Sequence, residues 1–158
     1  MSNEDVPKEL EELIKEKVLF CYQCGACVGS CPTSRVISEY NPRKIMEKLI
    51  LGHWEEVLSG KLIWLCTLCH TCYEVCPQGV GISHIIVVLR NLAAQRRSAP
   101  AEFLLSAKQL ASTGWTSPIT SAVQRYRKEL GLPEVKNPET GELIRILEST
   151  KLKQLLEG

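Results

Sequence analysis

Cys21-Tyr-Gln-Cys24-Gly-Ala-Cys27-Val-Gly-Ser-Cys31-Pro32 returns as Cys66-Thr-Leu-Cys69-His-Thr-Cys72-Tyr-Glu-Val-Cys76-Pro77, and both stretches read C-x2-C-x2-C-x3-C-P. Together they use all eight cysteines of the 158-residue chain. The spacing has a chemical reason. Three thiolates separated by two residues each fold around one face of a cubane of iron and sulfide, each on a different iron. The fourth leads away from that face, and the Pro after it, with fixed φ and no N–H, turns the chain outward. Where a chain carries two such motifs, the fourth Cys of each ligates the other cluster. Two [4Fe-4S] clusters are therefore expected. Cys21, Cys24, Cys27 and Cys76 would hold one, and Cys66, Cys69, Cys72 and Cys31 the other, so that the motifs interlock.

Other chemistries fit the pattern less well. A zinc ribbon needs four ligands from two C-x2-C pairs and would leave two cysteines of each motif idle. Disulfides need an oxidising compartment, and cysteines this close in a helix-rich chain are poor partners for one another.

A chain of this length reads as one domain with an appended tail, and 44% apolar residues suffice for a modest core. With only three Trp, four Tyr and two Phe, the clusters are expected to form part of that core, so folding should depend on metal. The formal charge of +1 counts cysteines as neutral; two oxidised cubanes on eight thiolates bring it to about −3, which argues against a nucleic-acid partner. Met1-Ser-Asn-Glu-Asp5 is polar and acidic, unlike a signal peptide. The run Ile85 to Leu89 is far too short to span a bilayer. The expectation is a cytoplasmic protein with no membrane attachment, in a low-oxygen interior.

Helices are expected on both sides of the motifs. Residues 7 to 19 have Leu10, Leu13, Ile14 and Val18 at helical spacing, with Pro7 in the first turn. Gly25 and Gly29 let backbone N–H groups approach sulfur, or merely permit tight turns. Between Cys31 and Cys66 lies a long linker, unlike that of a small bacterial ferredoxin. There Asn41-Pro42 reads as an N-cap with Pro at the first helical position, opening a helix over 43–51 closed by Gly52. A second short helix is expected over 53–58. Trp64 either packs over a cluster or fills core. Ser83 is expected to cap a helix running to Arg97, and Ser98-Ala-Pro100 to end it. Helical linkers between the motifs give an all-α ferredoxin over 1–99, with a helical extension over 100–158.

The extension has no cysteine. It is expected to form a helix over 101–111 ended near Gly114, another opened by Ser117-Pro118 and stopped after Leu130, a turn at 137–141, and a last amphipathic segment over 142–156. This is more chain than two clusters need, and 100–158 reads as a docking surface for partner proteins, the alternative being that it simply wraps the cluster core. His70 reads as an exposed loop histidine rather than a donor to a cluster sulfur. His53 and His84 have no role. Arg90, Arg96, Arg97, Arg125, Arg127 and Lys128 read as solvated helix ends. Phosphate-loop, dinucleotide, zinc-protease and nucleophile motifs are missing, so no catalytic residue is assigned and the chain alone converts no substrate.

Taken together, the Cys21–Pro32 stretch, Trp-Leu-Cys-Thr-Leu-Cys over 64–69, Thr113-Gly114 with Pro118, and Arg127-Lys-Glu-Leu-Gly-Leu132 resemble the C-subunit of heterodisulfide reductase and its relatives over most of the chain. The cysteine motifs alone would also fit a stand-alone dicluster ferredoxin, or the iron-sulfur component of a succinate or glycolate dehydrogenase. The resemblance implies an iron-sulfur oxidoreductase component within a hetero-oligomeric complex, active in methanogenesis or sulfur metabolism. In that family such a component relays electrons between a flavoprotein, the A-subunit of heterodisulfide reductase, and a CCG-domain protein, the B-subunit, which handles the disulfide.

Overall fold

The chain that leads into the first motif is helical from Lys8 to Glu16 (α1), with Pro7 as its N-cap residue. The structure, a computed structural model, describes residues 6–136, 138–150 and 152–157. The polar start over 1–5, Asn137 of the expected turn and Lys151 of the expected last segment lie outside the described residues. The helix ends earlier than its apolar spacing indicates. After Glu16 the chain tightens into a 3₁₀ turn, Val18–Phe20, and it is this turn that buries Val18 beside the fully buried Leu10.

Two short helices repeat within the motifs, α2 (Ala26–Gly29) and α6 (Thr71–Glu74), and they pack against each other. Pro32 opens α3 (Pro32–Val36) at its first position, where its missing N–H costs nothing. In the linker, α4 (Pro42–Ile50) forms as its sequence dictates: the Asn41 side chain accepts the Lys44 N–H at 3.0 Å, Pro42 fixes the first φ, and Gly52 closes the end at φ +79°. Its inner face buries Ile45, Met46 and Leu49. Next come α5 (Trp54–Ser59) and a 3₁₀ turn, Leu62–Leu65, that hands the chain to Cys66.

The long helix α7 (Ile82–Gln95) carries the most buried face, with Ile85, Ile86, Leu89, Leu92 and Ala93 inward. Each such Ile or Leu contributes about 1.5–3 kcal/mol by burial. Ser83 does not cap it. Gly81, at φ +73°, is the N-cap residue, and Ser83 lies one position inside the helix, fully buried, with its hydroxyl turned toward the second motif.

The chain divides into two compact units, Met1–Ala99 and Pro100–Gly158. The core of the first is built by the residues above together with Tyr40, Val57, Leu58, Ile63 and Val80. In the second, α8 (Ala101–Thr113) ends at Gly114, whose φ of +74° and closeness to the Pro138 ring leave no room for a Cβ. The helix expected from Ser117-Pro118 starts later, as α9 (Ser121–Glu129), because the Thr120 hydroxyl accepts the Val123 N–H at 3.3 Å and so provides the better cap. The single segment expected over 142–156 is two helices, α10 (Gly141–Ser149) and α11 (Leu152–Glu157), parted where Thr150 turns extended. Both pack on α8. Leu147 is buried, whereas Leu105, Leu130 and Ile146 are more than half exposed. Among the described residues there is no strand, and no helix is long and apolar enough to cross a membrane.

Candidate iron-sulfur sites

The two cysteine loops share one backbone trace. In each, the second and fourth residues after the first Cys are left-handed: Gln23 (φ +61°) and Gly25 (φ +83°) in the first, Leu68 (φ +53°) and His70 (φ +61°) in the second. A left-handed conformation costs a residue with a Cβ about 1–2 kcal/mol, so three of these four positions carry strain that the site must repay. In the second loop the trace aims a backbone N–H at sulfur, as happens at many iron-sulfur sites, and in the first a side-chain amide does so. The Leu68 N–H lies 3.4 Å from Cys66 Sγ, and Gln23 Nε2 lies 3.4 Å from Cys21 Sγ. Gly29, by contrast, is an ordinary position within α2.

All eight cysteines are free. Cys27 and Cys31 are buried, Cys24 and Cys69 exposed, and the other four lie between. Burial pushes the Cys27 thiol up to about 11, and repulsion from Cys21, Cys72 and Cys24 adds to it. Cys21 and Cys24 of motif one and Cys72 of motif two thus lie near enough to Cys27 for their charges to oppose its ionisation. Cys72 is also raised, by burial and then by Cys66, against hydrogen bonds from Ser83 that favour its thiolate. Cys69 is lowered by the Thr71 hydroxyl, 3.4 Å from its sulfur. Cys31 lines one small cavity with Cys66, Cys69 and Cys72, and Cys76 packs half-buried against the core. Among the described residues no three His, Cys, Asp or Glu side chains close around a single metal ion. A cubane is a larger body that takes each thiolate on a different iron. Buried thiols whose charged forms repel one another suit such a cationic centre.

Two residues of this site were not assigned to it from the sequence. Tyr40, only 2% exposed, lies in the linker and lines the cavity of Cys31, Cys66, Cys69 and Cys72. Burial, and then the neighbouring Cys66, hold its phenol far above the usual range. Arg90, on α7, is not a solvated helix end. Its half-buried guanidinium donates to the carbonyls of Ile63 (2.9 Å), Trp64 (3.0 Å) and Cys66 (2.6 Å) and lies over the Trp64 ring. It thereby fastens the 3₁₀ turn and the start of motif two to the long helix. Burial lowers its pKa, while Cys66 and Tyr40 oppose that shift. Only a hydrophobic pattern interrupted by one cation, Val87-Val-Leu-Arg90, could have hinted at it.

His70 is exposed, and its Nδ1 lies 3.0 Å from Ser83 Oγ. His84 packs against the rings of Tyr73 and His70, at 5.1 and 5.5 Å between centroids. Arg96 likewise lies over Trp54, 4.7 Å from the ring centroid, rather than free in solvent.

The model of the 4Fe-4S dicluster domain family matches residues 17–80, and with all eight cysteines free the chain holds two [4Fe-4S] clusters. The chain is 43% identical over 141 residues to the iron-sulfur C-subunit of the CoB–CoM heterodisulfide reductase of Methanopyrus kandleri, covering 84% of this chain and 73% of that one. It is 34% identical over 163 residues to the C-subunit of the H2:CoB–CoM heterodisulfide,ferredoxin reductase of Methanothermobacter thermautotrophicus, with 96% and 87% covered. The C-subunit of the ferredoxin/F420H2-dependent CoB–CoM heterodisulfide reductase of Methanosarcina acetivorans is 34% identical over 158 residues, with 94% and 97% covered.

Proposed function

Because the chain belongs to the family of heterodisulfide reductase iron-sulfur C-subunits, an electron-transfer component of an oxidoreductase, we propose that it relays electrons between a flavin-bearing A-subunit and a CCG-domain B-subunit, in the cytoplasm. A disulfide of the kind named for the relatives, CoB–CoM heterodisulfide, is the acceptor that the CCG-domain protein would handle. Each cluster, when bound, takes up and gives back one electron at a time.

The chain's own residues do the holding and shielding. Cys21, Cys24, Cys27 and Cys76 form one ligand set, and Cys66, Cys69, Cys72 and Cys31 the other. The observation that carries this assignment is the shared cavity: Cys31, 35 positions from Cys66, lies with Cys66, Cys69 and Cys72 rather than with its own motif alone. Arg90 keeps the Cys66 loop seated, and Tyr40 closes the cavity against water. The unit Pro100–Gly158 serves as the docking element, which its exposed Phe103, Leu105, Leu130 and Ile146 support.

Anaerobic purification of the tagged chain from its native cell tests this. Co-purification of a flavoprotein and a CCG-domain protein is the expected result. A chain that emerges alone with its iron intact would mean a stand-alone ferredoxin.

A further inference from the structure

Each cysteine loop is entered through a 3₁₀ turn, and the two turns meet solvent differently. Before the second loop, in Leu62–Leu65, Ile63 is buried and the other three side chains are half-buried, with Arg90 fastened across the turn. Before the first loop, Val18–Phe20 buries only Val18. Leu19 and Phe20 are 57% and 59% exposed, Tyr22 just after them is 56% exposed, and Cys24 is exposed as well. This turn is held in place rather than frayed. The Phe20 N–H donates to the Lys17 carbonyl at 3.2 Å, the Cys21 N–H donates to the Val18 carbonyl at 3.0 Å, and the turn packs on α1 and α4. The fold thus covers one entry turn with its own residues and presents the other, rigid and apolar, to solvent.

Composition points the same way. From Val18 to Ser34 the sequence contains no Asp, Glu, Lys or Arg, while Lys17 and Arg35 stand at the two ends of the stretch. Aromatic side chains without charge, framed by charge, are the make-up of the core of a protein–protein interface. Phe20 and Tyr22 flank Cys21 in the chain, so whatever covers these rings sits against a cluster ligand and on the path of the electron. A carrier that comes and goes is drawn in by complementary charge, which this stretch does not offer. A permanent subunit is held by apolar burial, which it does offer.

We propose that Leu19, Phe20 and Tyr22 form the contact core for a permanently bound redox subunit, which meets the first cysteine loop with an uncharged apolar surface and brings its own electron-carrying group beside that loop. This docking face is additional to the one assigned to Pro100–Gly158, and the inference rests on the reading of the chain as an electron relay within a complex.

The test is anaerobic purification of the tagged full-length chain from its native cell, as wild type, Phe20→Asp and Phe20→Leu, with iron and each flavin- or cluster-bearing partner quantified per copy of the chain. Phe20→Asp should keep the iron of the wild type and lose at least about tenfold of one redox partner, the loss expected at the centre of an interface. Phe20→Leu should retain that partner within about threefold, and a wash at about 1 M salt should leave it on the wild-type chain, because apolar contacts are not screened. Leu19→Asp reads the same face should Phe20→Asp load less iron. Recovery of every redox partner within about twofold of wild type in both aspartate variants overturns the proposal. So does a partner that the salt wash removes, or a wild-type chain that pairs with a second copy of itself through this face and is made monomeric by Phe20→Asp. A wild-type chain that brings down no flavin- or cluster-bearing protein under any wash overturns the relay reading itself, and the inference with it.

Discussion

Replacing Arg90 by alanine removes three hydrogen bonds from a charged donor at one stroke, to the carbonyls of Ile63, Trp64 and Cys66. Bonds of this kind are worth about 1.5–3 kcal/mol each, which sets an upper bound of about 4.5–9 kcal/mol. The site is only half-buried, so water replaces part of what is lost, and the stacking on Trp64 adds little more. A net weakening of the Cys66 loop by about 2–4 kcal/mol follows. If iron leaves through transient opening of this loop, the rate scales with the open population, and the same figure corresponds to about 30- to 1,000-fold faster loss. The assay is anaerobic transfer of iron to a coloured chelator, followed at constant protein concentration. Arg90→Lys keeps the charge but has no planar fork to reach three carbonyls, so it should recover less than half of the effect. Iron loss from Arg90→Ala within about threefold of wild type would refute the clamp and return Arg90 to the status of a surface helix residue.

Crossed ligation predicts that Cys76→Ser damages the EPR signal of the first motif's cluster and Cys31→Ser that of the second; the opposite pattern sinks the assignment. Gly114→Ala should destabilise the Pro100–Gly158 unit by more than about 1 kcal/mol, since the new Cβ meets both the left-handed φ and the Pro138 ring, and limited proteolysis should cut that unit first. In the iron-free chain, a thiol at about 11 is about one part in a thousand thiolate at pH 8, whereas Cys69 is lowered by Thr71. Alkylation mapped by mass spectrometry should therefore reach Cys69 first and Cys27 last. The gap should narrow as pH rises toward 11; uniform labelling at pH 8 would contradict it.

The parts that were legible in the sequence are those set by local chemistry. Cysteine spacing announces two cubanes because the covalent reach of adjacent thiolates fixes it. Asn41-Pro42 and Gly52 announce α4 because a cap, a fixed φ and a left-handed stop act within a few residues. Where two local signals compete the reading slips by a turn, as at Thr120, whose hydroxyl cap beats Ser117-Pro118. Ser83 shows a different limit. Its residue type suits a cap, but the tertiary fold turns it inward to Cys72 and His70, and Gly81 starts the helix instead. Tyr40 and Arg90 were not legible as parts of the site, since Cys66 lies more than twenty positions from each and nothing near them in the chain encodes a contact with it.

The central claim is that electrons cross this chain on their way from flavin to disulfide. Its most direct test is a stopped-flow experiment with the anaerobically purified complex: the flavin is reduced, a heterodisulfide is added, and flavin reoxidation is followed with this chain present, stripped out, and added back. Reoxidation that stops without the chain, returns with the wild-type holo protein and fails to return with Cys72→Ser is the predicted result. Reoxidation at an unchanged rate in the stripped complex would contradict it.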